Sequence, residues 1–308
     1  MTFAMVYQYS ENFILPISHD EVVYGKGSML RKMPGDRWEQ LSGLRAYYAF
    51  MWSHPGKQLL FMGAEFGQES EWADSRSLDW WLLDQEPHWR LHGLVKDLNK
   101  LYKSRPALWE LDNDFEGFSW IDANDANGNT FSFLRFGKDN GKGARPVVAS
   151  VINFSGMEHH QYRIGLPHGG AWREILNTDS PIYGGAGVGN MGQVMAEPVP
   201  WHGQPYSALI TMQKLSAVWF EPAGDGDESA APEPLRAQTQ GVPRPELTRA
   251  PVVEEKRVRS QVSAADLRAA PVGTSGKAAP AAPAGQKPAE AEAPVTQEDP
   301  AASAEDAE

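Results

Sequence analysis

The sequence predicts three parts: the C-terminal part of a parallel α/β barrel, an antiparallel β-sandwich, and a tail that cannot build a core. Three observations predict this. Residues 1–112 alternate apolar strand runs with helical patterns, and polar groups follow each strand. Residues 113–222 carry short alternating runs separated by turn-forming stretches. Residues 223–308 contain no Phe, Tyr or Trp and are dominated by Ala, Pro, Glu and Gln. That last composition buries too little apolar surface to offset its ordering entropy, so disorder is expected there.

The first strand is Phe13-Ile14-Leu15-Pro16-Ile17, a nearly continuous apolar run expected to be buried on both faces. It ends in Ser18-His19-Asp20-Glu21. Pro34-Gly35-Asp36 opens a helix in which Trp38, Leu41, Leu44, Tyr48 and Trp52 recur at helical spacing, and His54-Pro55-Gly56 stops it. A second buried strand, Leu59-Leu60-Phe61-Met62-Gly63, leads into Ala64-Glu65-Phe66-Gly67-Gln68. A further helix over residues 88–104 carries Leu94, Val95, Leu98, Leu101 and Tyr102 on one face. Two strands cannot close a barrel, so the chain is expected to begin inside a domain.

Sandwich strands are expected at residues 118–121, 130–136, 147–153, 161–164, 172–176, 207–212 and 217–221. The Gly-rich residues 184–192 read as a loop or bulged hairpin; they lack the Lys-Ser/Thr ending of a phosphate loop. With its own alternating core the sandwich is expected to fold alone. The strands before Asn113 lack outer partners and their helices lack half a packing surface, so that part is expected to be labile.

Composition excludes several classes. A formal net charge of −12 argues against nucleic-acid and anionic-membrane partners. With 0 Cys there are no disulfides, thiolate metal sites or cysteine nucleophiles, which fits a reducing cytoplasm. No apolar run approaches a membrane span and no basic n-region opens the chain. The cluster Lys256, Arg257 and Arg259 lies amid acids and reads as a solvated face.

Chemistry concentrates at the strand exits. His19-Asp20 places an imidazole and a carboxylate where barrel enzymes work, although such a pair serves equally to cap a loop. Glu65 stands at the next exit, as site member or as support. Trp72, Trp80 and Trp81 follow it and could stack on a ligand ring or pack over the strand ends. In the sandwich, Trp172 and Trp201 read as core residues or as a binding surface.

These residues resemble a known family. Asn12 through Val23 (NFILPISHDEVV), Gly25-Lys26-Gly27-Ser28, Arg31-Lys32-Met33-Pro34-Gly35-Asp36 and Leu44-Arg45-Ala46-Tyr47-Tyr48 look like bacterial 1,4-alpha-glucan (glycogen) branching enzymes, of the alpha-amylase superfamily. So do Ser77-Leu78-Asp79-Trp80 and Trp172-Arg173-Glu174-Ile175-Leu176-Asn177-Thr178-Asp179. The resemblance implies a retaining transglycosylase on a (β/α)₈ barrel that cleaves an α-1,4-glucan and forms α-1,6 branches in glycogen. It implies no cofactor and no metal, an α-1,4-glucan or glycogen partner, and a monomeric intact enzyme.

By the same resemblance, Asp20 is the carboxylate that stabilises the transition state and His19 binds sugar hydroxyls beside it. Glu65, Trp72 and Trp80 are candidate substrate contacts. Tyr24 stands where the family usually has His. Nothing in the sequence matches the family's nucleophile or general acid, so the chain alone is expected to be inactive. Two other readings stay open: a glucan-binding module without catalysis, and another alpha-amylase-type transglycosylase or hydrolase.

Overall fold

A computed structural model of the chain describes residues 2–141 and 145–224. The expected disorder of the tail, and the basic cluster within it, fall outside the described residues apart from Ala223 and Gly224.

β1 (Ile14–Ile17) and β2 (Lys57–Leu60) form a parallel two-stranded sheet in which Ile17 pairs with Leu60. Between them run α1 (Met29–Lys32) and α2 (Arg37–Ser53), and α3 (Glu86–Ser104) follows. The start of α2 is locally encoded. Asp36 accepts from the Glu39 N–H at 2.9 Å, and the Glu39 carboxylate accepts from the Asp36 N–H at 3.0 Å, a reciprocal capping box. His54 ends the helix with an extended backbone before Pro55, as the sequence predicts.

The sandwich follows. A six-stranded antiparallel sheet has the order β3-β4-β5-β10-β7-β8, from β3 (Phe118–Asp122), β4 (Thr130–Phe136), β5 (Val147–Asn153), β7 (Gly170–Asn177), β8 (Gln193–Ala196) and β10 (Ser216–Pro222). A second layer pairs β6 (His159–Leu166) with β9 (Tyr206–Met212). The expected strands are all present, within about two residues at each end, and β8 is an addition. Residues 184–192 lie in the connection between β7 and β8. Asp179 organises it, its carboxylate accepting from the N–H groups of Ala186 (3.0 Å) and Val188 (2.9 Å).

Three expectations for the α/β part need correction. The strand expected at residues 59–63 runs instead from Lys57 to Leu60, so Phe61, Met62 and Gly63 lie past its end. Nor are β1 and β2 buried on both faces. Leu15 and Ile17 face the core, whereas Ile14 is 57% and Leu59 42% exposed, because nothing among the described residues covers the outer face.

The helices do not lack a packing surface. One continuous core joins Leu44, Tyr48 and Trp52 of α2 and Leu91, Leu94 and Leu98 of α3 to Phe133, Val148, Ile152 and Trp219 of the large sheet. α2 is buried nearly all round, which its single apolar stripe does not announce.

Buried polar contacts fasten this junction. Arg135 of β4, fully buried, donates to the carbonyls of Gly117 (3.2 Å), Ser53 (2.6 Å) and Leu108 (3.1 Å) and to Asp112 (2.6 Å). Ser150 of β5 donates to the Ser53 hydroxyl at 2.9 Å, and Arg45 of α2 donates to the Thr178 carbonyl at 3.0 Å. The opposite face of the large sheet packs Leu134, Val151, Trp172 and Phe220 against Ile164, Ile210 and Met212 of the β6–β9 layer.

Candidate active site

Parallel pairing of β1 with β2 sets their two C-terminal exits side by side. After β1 the chain turns at once into a single 3₁₀ turn, His19–Glu21. The Ser18-x-x-Glu21 spacing dictates this turn. Glu21 accepts from the Ser18 N–H (2.5 Å) and hydroxyl (2.9 Å), while Ser18 Oγ accepts from the Asp20 N–H (3.2 Å). Burial pushes the Glu21 carboxyl up, but the Ser18 hydrogen bonds outweigh it and hold the group below its ordinary value.

With Glu21 turned back as the cap, His19 and Asp20 project outward. Their side chains are 58% and 69% exposed, and His19 Nε2 lies 3.4 Å from Asp20 Oδ1. An exposed imidazole beside an exposed carboxylate can accept and donate to neighbouring hydroxyls of one ligand. The His19 ring stands 6.1 Å from the ring of Phe61, the first residue past β2, and Phe61 meets Trp72 edge-on at 5.2 Å. The structure therefore brings His19, Asp20, Phe61 and Trp72 to one corner.

The exit of β2 is shaped by Gly63 and Gly67, both in left-handed conformation, on either side of the 3₁₀ turn Ala64–Phe66. A side chain at Gly63 would also meet Gln68 Oε1 at 2.7 Å. Tyr48 of α2 pins the turn by donating to the Ala64 carbonyl at 2.6 Å. Burial raises the Tyr48 phenol far above its ordinary range, with the Glu65 carboxylate adding to the effect. Glu65 itself is half-buried on this turn.

Trp72 is half-buried against the core and its backbone N–H donates to the Val22 carbonyl at 2.8 Å, so it fastens the two exits together. Trp80 and Trp81 are the exposed indoles of the set, at 49% and 59%, and Trp80 lies against Phe66 at 5.5 Å. Trp172 is fully buried and has no role at a surface, while Trp201 is 45% exposed.

Sequence reasoning did not single out Phe61 or Glu71. Phe61 read as a strand interior; it instead lies past the strand end, beside His19. Glu71 accepts from the Gly27 N–H at 2.8 Å and anchors the Gly25–Lys26–Gly27 loop. Bonds from Gly27 and Gly25 hold its carboxyl below the ordinary value. No local signal could find it, since the partners are 44 residues apart. Among the described residues no group of three or more His, Asp or Glu could hold a metal ion, and no helix is long and apolar enough to cross a membrane.

Comparison with known proteins agrees with the sequence resemblance. Residues 120–223 match the family described as alpha amylase, C-terminal all-beta domain. The chain is 60% identical over 223 residues to a 1,4-alpha-glucan branching enzyme, GlgB, of Frankia casuarinae, covering 72% of this chain and 27% of that protein. It is 57% identical over 221 residues to the branching enzyme GlgB of Leifsonia xyli subsp. xyli, covering 72% of this chain and 30% of the relative. The chain thus spans less than a third of the length of these relatives. A solved debranching enzyme from Nostoc punctiforme aligns with 60% of this chain and 32% of its own at 13% identity, with a TM-score of 0.40. That score is too low to carry a fold argument.

Proposed function

We propose that this chain, whose resemblance to bacterial 1,4-alpha-glucan branching enzymes is borne out at 52–60% identity, is the C-terminal part of such an enzyme. In this reading residues 1–112 are the last two β/α units of a (β/α)₈ barrel and residues 113–222 the sandwich behind it. The reaction is cleavage of an α-1,4 bond and transfer of the released segment to a C6 hydroxyl.

The observation that carries the reading is the outward-facing His19–Asp20 pair at the β1 exit, with their Nε2 and Oδ1 atoms 3.4 Å apart. A glucosyl unit bound there hydrogen-bonds through adjacent hydroxyls to the carboxylate and the imidazole. As the C1–O4 bond breaks, positive charge develops on the ring, and the Asp20 carboxylate strengthens its contacts with the distorting sugar. Glu21 keeps the pair aimed outward, and Trp80 offers an apolar face for a neighbouring glucose.

Retention requires two further carboxyl groups, about 5–5.5 Å apart across the bond. One forms the glycosyl ester. The other gives its proton to the departing O4 and later accepts one from the attacking O6–H. Neither has a motif match in this sequence, so the 308-residue chain is proposed to hold the sugar without breaking the bond.

The test is a chimera in which residues 1–224 replace the matching part of the Frankia casuarinae relative. It is expected to form α-1,6 bonds from amylose, scored by debranching and chain-length analysis, while the 308-residue chain alone forms none. Asp20→Asn in the chimera is expected to lower kcat on the order of 10²-fold with little change in KM. A soluble chimera without branching sinks the proposal, and near-normal turnover of the Asp20 variant removes Asp20 from its role.

A further inference from the structure

Beyond β8, the chain makes a two-residue hairpin tip. The N–H of Trp201 donates to the Gln204 carbonyl at 3.1 Å, and the N–H of Gln204 returns the bond at 2.9 Å. The central residues His202 and Gly203 both have positive φ, 49° and 73°, as a type I′ turn requires. Glycine takes this conformation freely. A histidine at the first position is strained, and Asn-Gly makes the same turn at lower cost.

The His202 side chain does not recover that cost inside the fold. Its Nδ1 is buried without a hydrogen-bond partner among the described residues, and its Nε2 stands 3.5 Å from Asp122 Oδ2, a loose contact. Nδ1 is enclosed and out of a ligand's reach, so Nε2, held only loosely by Asp122, is the ring atom that can turn to one.

Its neighbours say what that is. Trp201 is 45% exposed, with its ring centroid 5.5 Å from the imidazole. Asp122, at the end of β3, uses Oδ1 to accept from the Asn124 N–H at 2.8 Å, which leaves Oδ2 facing His202 able to accept. Asp125 is engaged by the Tyr162 hydroxyl at 2.9 Å, and its charge also acts on His202. The tip is rigid because it presses on β6: a Cβ at Gly165 would come within 2.2 Å of the Trp201 carbonyl. An apolar platform beside a carboxylate and an imidazole Nε2 that is only loosely engaged, with no Lys or Arg among them, suits a neutral polyhydroxylated ring.

We propose that Trp201, His202 and Asp122 form a saccharide-binding site on the β6–β9 side of the sandwich, taking a neutral α-1,4-glucan chain. One glucose ring stacks on the indole while its vicinal hydroxyls bridge the imidazole and Asp122 Oδ2. The large sheet separates this site from α2. It would hold a distant part of the same long polymer, and it rests on the proposed function only for the identity of the glycan.

The 308-residue chain carrying His19→Ala and Asp20→Asn, which removes the glucan contacts proposed at the β1 exit, is tested by titration calorimetry with maltoheptaose and by retardation in native gels containing glycogen. Trp201→Ala is expected to weaken both by about tenfold or more. His202→Asn is expected to weaken binding while keeping or raising Tm, because it relieves the turn. Lower Tm with unchanged binding in that variant means that His202 serves only the turn and overturns the site. Glycogen retardation that survives both substitutions also overturns it, while leaving the glucan reading intact. A chain with Trp201 and His202 intact that binds neither probe overturns it as well, and the chimera's branching assay still decides the proposed function independently.

Discussion

β5 and β1 are both apolar runs, and the structure surrounds them in opposite ways. Every residue of β5, VVASVIN, is buried, since α2 covers one face through Val148 and Ile152 while the β6–β9 layer covers Val147, Ala149 and Val151. In β1 only Ile17 is buried and Ile14 is 57% exposed. The strand predicted to be covered on both sides is half bare, and a strand read as an ordinary sandwich member is fully enclosed. An apolar run therefore reports its affinity for a core but not how many layers reach it. The same contrast explains why the helices before Asn113 belong energetically to the sandwich. They cover the sheet face that a free-standing sandwich would expose.

The sharpest way to break this comparison is to remove the cover. Residues 113–224 expressed alone lose the helices over Phe133, Val148, Ile152, Leu176 and Trp219, leave Arg135 only the Gly117 carbonyl in place of its bonds to Ser53, Leu108 and Asp112, and take Ser53 from Ser150. Each uncovered large side chain forfeits about 1.5–3 kcal/mol, so the deficit is on the order of 10 kcal/mol, as large as typical domain stability. The piece is expected to be insoluble or to unfold without cooperativity by circular dichroism. A soluble domain with a cooperative melt would restore the autonomous sandwich that the sequence pattern suggests.

A smaller effect sharpens the same boundary by pH. His54 closes α2 and is buried beside Phe50 and Phe118, its Nδ1 2.9 Å from the Pro55 carbonyl. Burial lowers its pKa from 6.5 to about 4; nearby Arg135 adds to the shift, while the Pro55 bond and Asp112 oppose it. The unfolded chain then binds a proton between these values that the folded chain refuses. Stability is full above about pH 6.5 and is lost as pH falls toward about 4, by roughly 3 kcal/mol at most. Urea titrations from pH 7.5 to 4 should show that slope, and His54→Gln should flatten it. An unchanged slope in the variant would place the acid sensitivity elsewhere.

The smallest effect lies on the bare sheet. Leu59→Lys, at a residue 42% exposed on the outer face of β2, is expected to change stability by less than about 0.5 kcal/mol. A loss above about 2 kcal/mol in thermal denaturation would mean that this face is covered in solution.

Much of the site is legible in local sequence. Ser18-x-x-Glu21 carries its own cap, so the turn that aims His19 and Asp20 outward follows from four consecutive residues. Gly63, read from sequence as the end of a strand, instead opens a turn that Gly67 closes, both in left-handed conformation. Trp72 and Trp80 were indistinguishable as sequence, since an indole suits both a core and a sugar face. Their separation came from Phe61 and Val22 holding one and solvent meeting the other. Glu71 and Trp201 depend on contacts across distant segments, which no periodicity encodes.

The sequence by itself determined the element types, their caps and turns, and the polar groups at the strand exits, because these arise from forces between residues a few positions apart. Tertiary structure alone decided which faces were covered, which tryptophan stayed exposed, and that α2 and the large sheet share one core. Those outcomes depend on desolvation between layers far apart in the chain, where Ser53 meets Ser150 and Arg135, and only the assembled fold brings such surfaces together.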